Sequence, residues 1–249
     1  MTLEIAFEIG RISIPVTGAN GSFAFLSALL DFWSTGSIDG SGRPVGLYAN
    51  TLLVGGTPVY NSINNGVPYA AFDGVGDYFY QWPGSTFDIT GTETYIHSDM
   101  RGLTLGGWFY HTSLTGAQVY MSKYGNSGER GYVLRKDLGH TARFMVSDDG
   151  TSEASVVGGM VPNETWVFTV GRFATLSGMA LFQNEVKVAL PLVLPYIYDA
   201  AADFRVGAAD GTSNYFLSGR ASRFFICSAA LPDASIEALF QASRGLFGV

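Results

Sequence analysis

A chain of 249 residues that is 47% hydrophobic and only 14% charged has ample material for a core, which excludes a disordered protein and leaves one large β domain or two small ones. A formal charge of −7 and a pI near 4.8 exclude functions that need a basic surface, so neither nucleic acid nor an anionic membrane is an expected partner. The single cysteine, Cys227, excludes an intrachain disulfide, and its apolar setting RFFICSAAL reads as a buried, inert thiol.

The first residues, MTLEIAFEIGRISIP, carry Glu4 and Glu8 and have neither a basic n-region nor an unbroken apolar h-region, so they do not read as a secretory signal. No stretch reaches the roughly 20 apolar residues of a membrane span. The expectation is a protein made in the cytosol without membrane insertion. Residues 1–25 read as an arm in which EIAFEIGRISIPV alternates like one strand, and residues 26–249 as a single domain. SFAFLSALLDFW, Ser22 to Trp33, fits a helix capped by Ser22 or a strand with an irregular start.

In AAFDGVGDYFYQWPG, Ala70 to Gly84, an apolar run stops at Asp73-Gly74 and resumes at Asp77-Tyr78. The pattern fits a hairpin turn, a calcium loop or a sugar-stacking face; read as a hairpin, Phe72 faces the core, Asp73-Gly74 turns, and Tyr78 and Tyr80 return on the next strand. Glycines and prolines then punctuate runs rich in Val, Tyr, Phe, Leu and Thr, at the spacing of strands in an antiparallel domain. Strands are predicted over 106–112, 118–124, 131–136, 142–147, 165–173, 178–184 and 222–228. One helix closes the chain. Pro232-Asp233 starts it, Ile236, Leu239 and Phe240 share a face, and Gly245 after Arg244 reads as its stop. The fold class is all-β, a two-sheet antiparallel sandwich with a short C-terminal helix.

Phe72-Asp73-Gly74-Val75-Gly76-Asp77-Tyr78, Leu103-Thr104-Leu105-Gly106-Gly107-Trp108-Phe109, Met121-Ser122-Lys123-Tyr124-Gly125 and Trp166-Val167-Phe168-Thr169-Val170 follow one another in a recognisable order. Met179 to Glu185, Phe204-Arg205-Val206-Gly207 and Phe216 to Leu231 continue it. The series, over about residues 47 to 240, resembles the laminin-G-like branch of the concanavalin A-like lectin/glucanase superfamily, a jelly-roll domain. The resemblance implies a buried Trp108 and the sandwich already expected. Three departures stand out: Phe168 where the family has histidine, Glu185 where it has glycine, and Arg220-Ala221-Ser222-Arg223 where it has an acidic pair. Likeness of fold does not fix function.

Many members of that superfamily are glycoside hydrolases, which need two carboxylates flanking the scissile bond. The glutamates here lie singly and never form E-x-D-x-E, so catalysis is not expected. His97, His111 and His140 have no H-E-x-x-H or cysteine context for zinc. Calcium, which takes six to eight oxygens, has two candidate loops: Asp73 with Asp77, and Asp148 with Asp149 in Ser147-Asp148-Asp149-Gly150. The competing reading of both is a β-turn. For carbohydrate stacking, Trp82 and Tyr215 lead a set that includes Tyr48, Tyr95, Tyr196 and Tyr198. The competing role for such aromatics is core or subunit contact.

Domains of this family usually follow a signal peptide, and this chain reads as having neither signal nor disulfide. That contrast suggests a non-enzymatic virion component, a phage decoration, fibre or tail-associated protein assembled in the host cytoplasm as a homo-oligomer. Its arm would dock on a neighbouring subunit by adding a strand, with surface glycan adhesion as an accompanying role. The alternative is a stand-alone lectin-like module binding glycan through its loop rim. A hydrolase with carboxylates gathered from distant strands is the third reading.

Overall fold

Strands with one apolar face need a second sheet to cover it, and those with two apolar faces need a further layer behind. The computed structural model describes residues 2–7, 10–15, 29–33, 52–64, 66–81, 102–192, 194–211 and 215–249. The strands are β1 (Thr2–Phe7), β2 (Gly10–Pro15), β3 (Leu29–Trp33), β4 (Leu53–Gly55), β5 (Val59–Asn64), β6 (Val67–Asp73), β7 (Tyr78–Gln81) and β8 (Gly102–His111). They continue with β9 (Gln118–Tyr124), β10 (Arg130–Lys136), β11 (Thr141–Val146), β12 (Ala154–Met160), β13 (Trp166–Ala174), β14 (Gly178–Gln183), β15 (Val186–Leu190), β16 (Phe204–Val206) and β17 (Ser218–Cys227). Helix α1 (Asp233–Phe247) follows.

Two antiparallel sheets form the sandwich. A seven-stranded sheet runs β12-β11-β10-β9-β16-β7-β4, and the other runs β15-β14-β13-β8-β17-β6-β5, with β3 pairing the far end of β17. Between the sheets lies a core that includes Leu105, Phe109, Tyr120, Phe144, Phe173, Leu181 and Phe224. Phe109 of one sheet stacks on Tyr120 of the other with ring centroids 4.2 Å apart. A second core sits on the outer face of the larger sheet, where Trp108, Phe168, Val170 and Phe225 meet Ile236, Leu239, Phe240 and Phe247 of α1. Trp108, fully buried as the resemblance implied, stacks on Phe247 at 4.2 Å and donates its indole N–H to Ser243 Oγ at 2.9 Å.

The predicted helix is present but runs one turn further, through Gly245 to a left-handed Gly248 at φ 73°. The Phe247–Trp108 stack holds that last turn in place. The FDG segment differs more. Phe72 is buried, yet β6 pairs β17 and β5 while β7 pairs β16 and β4, so the turn crosses from one sheet to the other and is not a hairpin. The arm is also not one strand, because β1 and β2 pair with each other over Thr2↔Pro15 to Phe7↔Gly10. Of Ser22 to Trp33, residues 29–33 are strand, and residues 22–28 lie outside the described residues. At the β14–β15 turn the left-handed residue is Asn184 (φ 52°), so Glu185 does not need to be glycine. Among the described residues no helix is long and apolar enough to cross a membrane.

The crossover from β8 to β9 is held by a buried polar network. Gln118 Oε1 accepts from the Ser218 amide at 3.0 Å and lies 2.9 Å from His111 Nδ1, so that nitrogen carries the proton. His111 Nε2 then accepts from the Tyr120 hydroxyl at 2.9 Å. Lys136, also buried, donates to the carbonyls of Leu114 and Gly116. Burial, reinforced by the Lys136 charge and only partly offset by Gln118, lowers the His111 pKa to about 4. Above pH 6.5 the ring is neutral in both folded and unfolded chains, and its contribution is complete. As pH falls from 6.5 towards 4 the unfolded chain takes up the proton first, and stability drops by roughly 3 kcal/mol.

Two measurements check this account. Urea denaturation of Phe72→Ala is expected to show a loss of about 3–5 kcal/mol, the cost of emptying a packed aromatic site. Denaturation of wild type across pH 7 to 4 should show the His111-linked decline, and His111→Asn, which keeps a donor towards Gln118 but does not titrate, should flatten it.

Candidate functional site

The acidic loops are built as turns. Asp73 Oδ1 accepts the amides of Val75, Gly76 and Asp77 at 2.8, 2.9 and 3.1 Å. The Gly76 amide is the chief cause of a carboxyl held below its usual pKa, a pull that the small burial cost does not cancel. Asp77 is buried and accepts from Thr57 at 2.7 Å and from Asp73 at 3.1 Å, so it ties the approach to β5 to the crossover. Asp149 is exposed and accepts the amides of Ser152 and Thr151, which hold its carboxyl far below the usual value. Asp148 is half-buried beside it. Among the described residues no three Asp, Glu, His or Cys side chains converge, and Asp73 Oδ1, both Asp77 oxygens and Asp149 Oδ1 accept backbone amides as turn residues do.

Of the stacking candidates, Trp82, Tyr48 and Tyr95 lie outside the described residues. Tyr196 and Tyr198 are half-buried, and Tyr198 packs against Gly150. Tyr215 is 39% exposed, in a left-handed backbone conformation (φ 46°), with the Arg135 guanidinium 5.8 Å from its ring centroid. It sits where the segment after β16 continues beside β9, its carbonyl accepting the Val119 amide at 2.8 Å.

Tyr215 belongs to a stripe across the outer face of the seven-stranded sheet. Alternation points Phe79 of β7 and Phe204 and Val206 of β16 into the core, which leaves Tyr78, Tyr80 and Arg205 outside. The Tyr78 ring lies over Gly55, where an added Cβ would collide with it, and Arg205 covers its face at 4.6 Å. Tyr80 and Phe216 flank it with centroids 5.6 and 6.1 Å away. Arg205 Nη2 meets Asp203 at 3.3 Å and Asp210 at 2.7 Å, and its Nη1 donates to the Ala209 carbonyl at 3.0 Å. Burial, with the Asp210 charge, raises the Asp203 pKa against the pull of Arg205. Farther along, Arg135 and Arg143 share Asp137 at 3.2 and 3.0 Å. The Nε–H groups of Arg135, Arg143 and Arg205 are buried with no hydrogen-bond partner among the described residues.

The arrangement offers ring faces beside planar, paired donors and acceptors. It does not offer a free acid and base, because Asp203 and Asp210 are both tied to one guanidinium. The sequence singles out Tyr215 from its loop setting but gives no sign of Tyr78, Tyr80 and Arg205 as a group, whose shared face follows only from the β16–β7 pairing Arg205↔Tyr80. Nor does it mark a second aromatic group on the opposite sheet, Tyr69, Tyr110 and Trp166 around Arg220.

No protein-family model matches the sequence, and no curated protein matches it. Among solved structures the fold is similar to the receptor binding domain of botulinum neurotoxin C/D mosaic serotype (12% identity, 86% of this chain and 51% of that one, TM-score 0.62). It is similar as well to the binding domain of botulinum neurotoxin DC in complex with SialylT (11% identity, 87% and 51%, TM-score 0.57). A third is Trypanosoma rangeli sialidase in complex with 2,3-difluoro-KDN (15% identity, 94% and 34%, TM-score 0.61). At these identities the likeness is one of fold. The chain spans about half the length of the neurotoxin domains it matches.

The turn account of the acidic loops is open to direct measurement. Asp77→Ala strips the Thr57 and Asp73 amides of their charged acceptor and is expected to cost about 1–3 kcal/mol in urea denaturation. Calcium chloride or a chelator should leave the thermal midpoint of the wild type where it was; a calcium-dependent rise would return these aspartates to metal binding.

Proposed function

We propose that this chain is a non-catalytic carbohydrate-binding module of lectin-like fold. The observation that carries the reading is the aromatic surface on the seven-stranded sheet: exposed Tyr215 over Arg135, one residue before Phe216 of the Tyr78–Tyr80–Phe216 cluster, with Arg205 on Tyr78 locked to Asp203 and Asp210. A sugar ring presents an apolar C–H face to an aromatic ring and hydroxyls at its edge to planar polar groups. Fixed aromatic and ion-paired side chains meet both demands at low entropic cost. The similar structures in complex with SialylT and with a KDN derivative lend weight to this reading. They lend none to the virion subunit expected from the sequence, and so favour the lectin-like alternative.

A glycan array tests it. The wild type is expected to bind a restricted set of saccharides. Tyr215→Asn, chosen because asparagine tolerates the left-handed backbone there, should weaken them by about tenfold with an unchanged thermal midpoint. Trp82→Ala in parallel tests the other stacking candidate. A wild type that binds no saccharide, or a Tyr215→Asn variant that binds every one undiminished, overturns the reading.

A further inference from the structure

Among the described residues, the cations of this acidic protein are almost all spoken for. Arg130, Arg135, Arg143, Arg172, Arg205 and Arg244 each meet a carboxylate, as do Lys123 and Lys187. Lys136 is held by carbonyls, and Arg223 is buried at a bulge of β17. Arg220 differs. It is half-buried, and among the described residues its side chain makes no hydrogen bond and no ion pair. Its guanidinium is instead clamped between two rings, 4.8 Å from the Tyr69 centroid and 4.6 Å from that of Tyr110.

The clamp follows from the register. β17 lies between β6 and β8, where Arg220 pairs with Ala71 on one side and Tyr110 on the other. Ala71 is small, which leaves room for the long side chain, and Tyr69 is its diagonal neighbour on the same face. Trp166 of β13 braces both tyrosines, 6.2 Å from Tyr69 and 5.5 Å from Tyr110. All four side chains lie on the outer face of the larger sheet, beyond the turn of α1 in which Phe247 contacts Trp166 at 5.0 Å. Past Arg220 along the same face stand the exposed hydroxyls of Thr112 and Ser218, 3.2 Å apart.

We propose that Arg220 is a recognition site for the carboxylate of an acidic sugar, of the uronic or sialic type. Rings on either side of a guanidinium leave its in-plane N–H edge as the route of approach, and that edge matches a planar carboxylate in a two-point contact. Cation–π contact fixes the side chain before the ligand arrives, so little entropy remains to be lost. Aromatic surface and hydroxyls next to the charge suit a sugar ring better than an extended acidic peptide. The site is on the opposite sheet from Tyr215. It extends the carbohydrate-binding reading but does not use the stripe that carries it.

The experiment titrates full-length protein with oligoglucuronate and with sialyllactose, and with the methyl ester of each, by calorimetry. The acids are expected to bind and their esters to bind about tenfold or more weakly. Arg220→Lys keeps the charge but loses the planar edge. With Arg220→Gln, it should lower affinity for the acids by about tenfold or more at an unchanged thermal midpoint. A neutral saccharide bound on the array should keep its affinity in both Arg220 variants, which separates failure here from failure of the stripe. The proposal is overturned if neither acid binds, if esters bind as well as acids, if binding survives both Arg220 variants, or if polyglutamate competes as effectively as the sugars.

Discussion

Everything in this molecule is arranged around a strand buried on both faces. β8 sends Leu103, Leu105 and Phe109 into the space between the sheets and Trp108 into the space beneath α1. A strand in that position needs cover on two sides, and the chain supplies the second cover from its own end. Glycines at 106 and 107 let neighbouring backbones approach where a Cβ would collide with Val170 or Phe224. Opposite them β17 bulges at Arg223, which takes a left-handed φ of 49° and so shifts the register between Ser222 and Phe225. The bulge lets one strand pair β6 before it and β3 after it.

The same constraint decides where the outer face becomes available. Residues 104, 106, 108 and 110 of β8 point away from the inter-sheet core, and α1 covers Trp108 but ends at Gly248. Beyond that end the aromatic row continues as Trp166, Tyr110 and Tyr69 around Arg220. The platform is thus the continuation of a core layer beyond α1. Its rigidity is inherited from the packing beneath it, which is what a preformed recognition surface requires.

The fold was readable because its signals are local. Alternation within each strand, Asp-Gly at the turns and the apolar face of α1 all depend on residues a few positions apart. What failed to read were the features set by pairing between distant segments. A turn such as Asp73-Gly74 looks alike whether it joins partners in one sheet or hands the chain to the other. Only the Thr57 amide on Asp77 and the β7–β16 pairing distinguish the two. The sites divide in the same way. Tyr215 showed itself through its loop, whereas Tyr78 and Tyr80 read as ordinary strand residues. The basic Arg220 in place of an acidic pair was visible in the sequence. Its partners, 151 and 110 positions away at Tyr69 and Tyr110, were not.

The two faces also differ in electrostatics, and that difference bears on what each selects. Arg205 stacks on Tyr78, but Asp203 and Asp210 outweigh its charge, so the stripe presents directed hydrogen bonds with no local positive excess from Arg205. Arg220 stacks on two rings with no carboxylate beside it among the described residues, so its positive field is uncompensated by them in a chain whose formal charge is −7. A neutral sugar gains from the first environment and little from the second. An acidic sugar meets repulsion over much of the surface and finds attraction at Arg220, a pattern that trades general affinity for discrimination. Tyr215 and Arg220 stand five residues apart on one continuous segment yet face opposite ways, because the chain crosses between sheets as it enters β17. One short stretch of sequence therefore places both chemistries, and the rigidity of the sandwich keeps them independent.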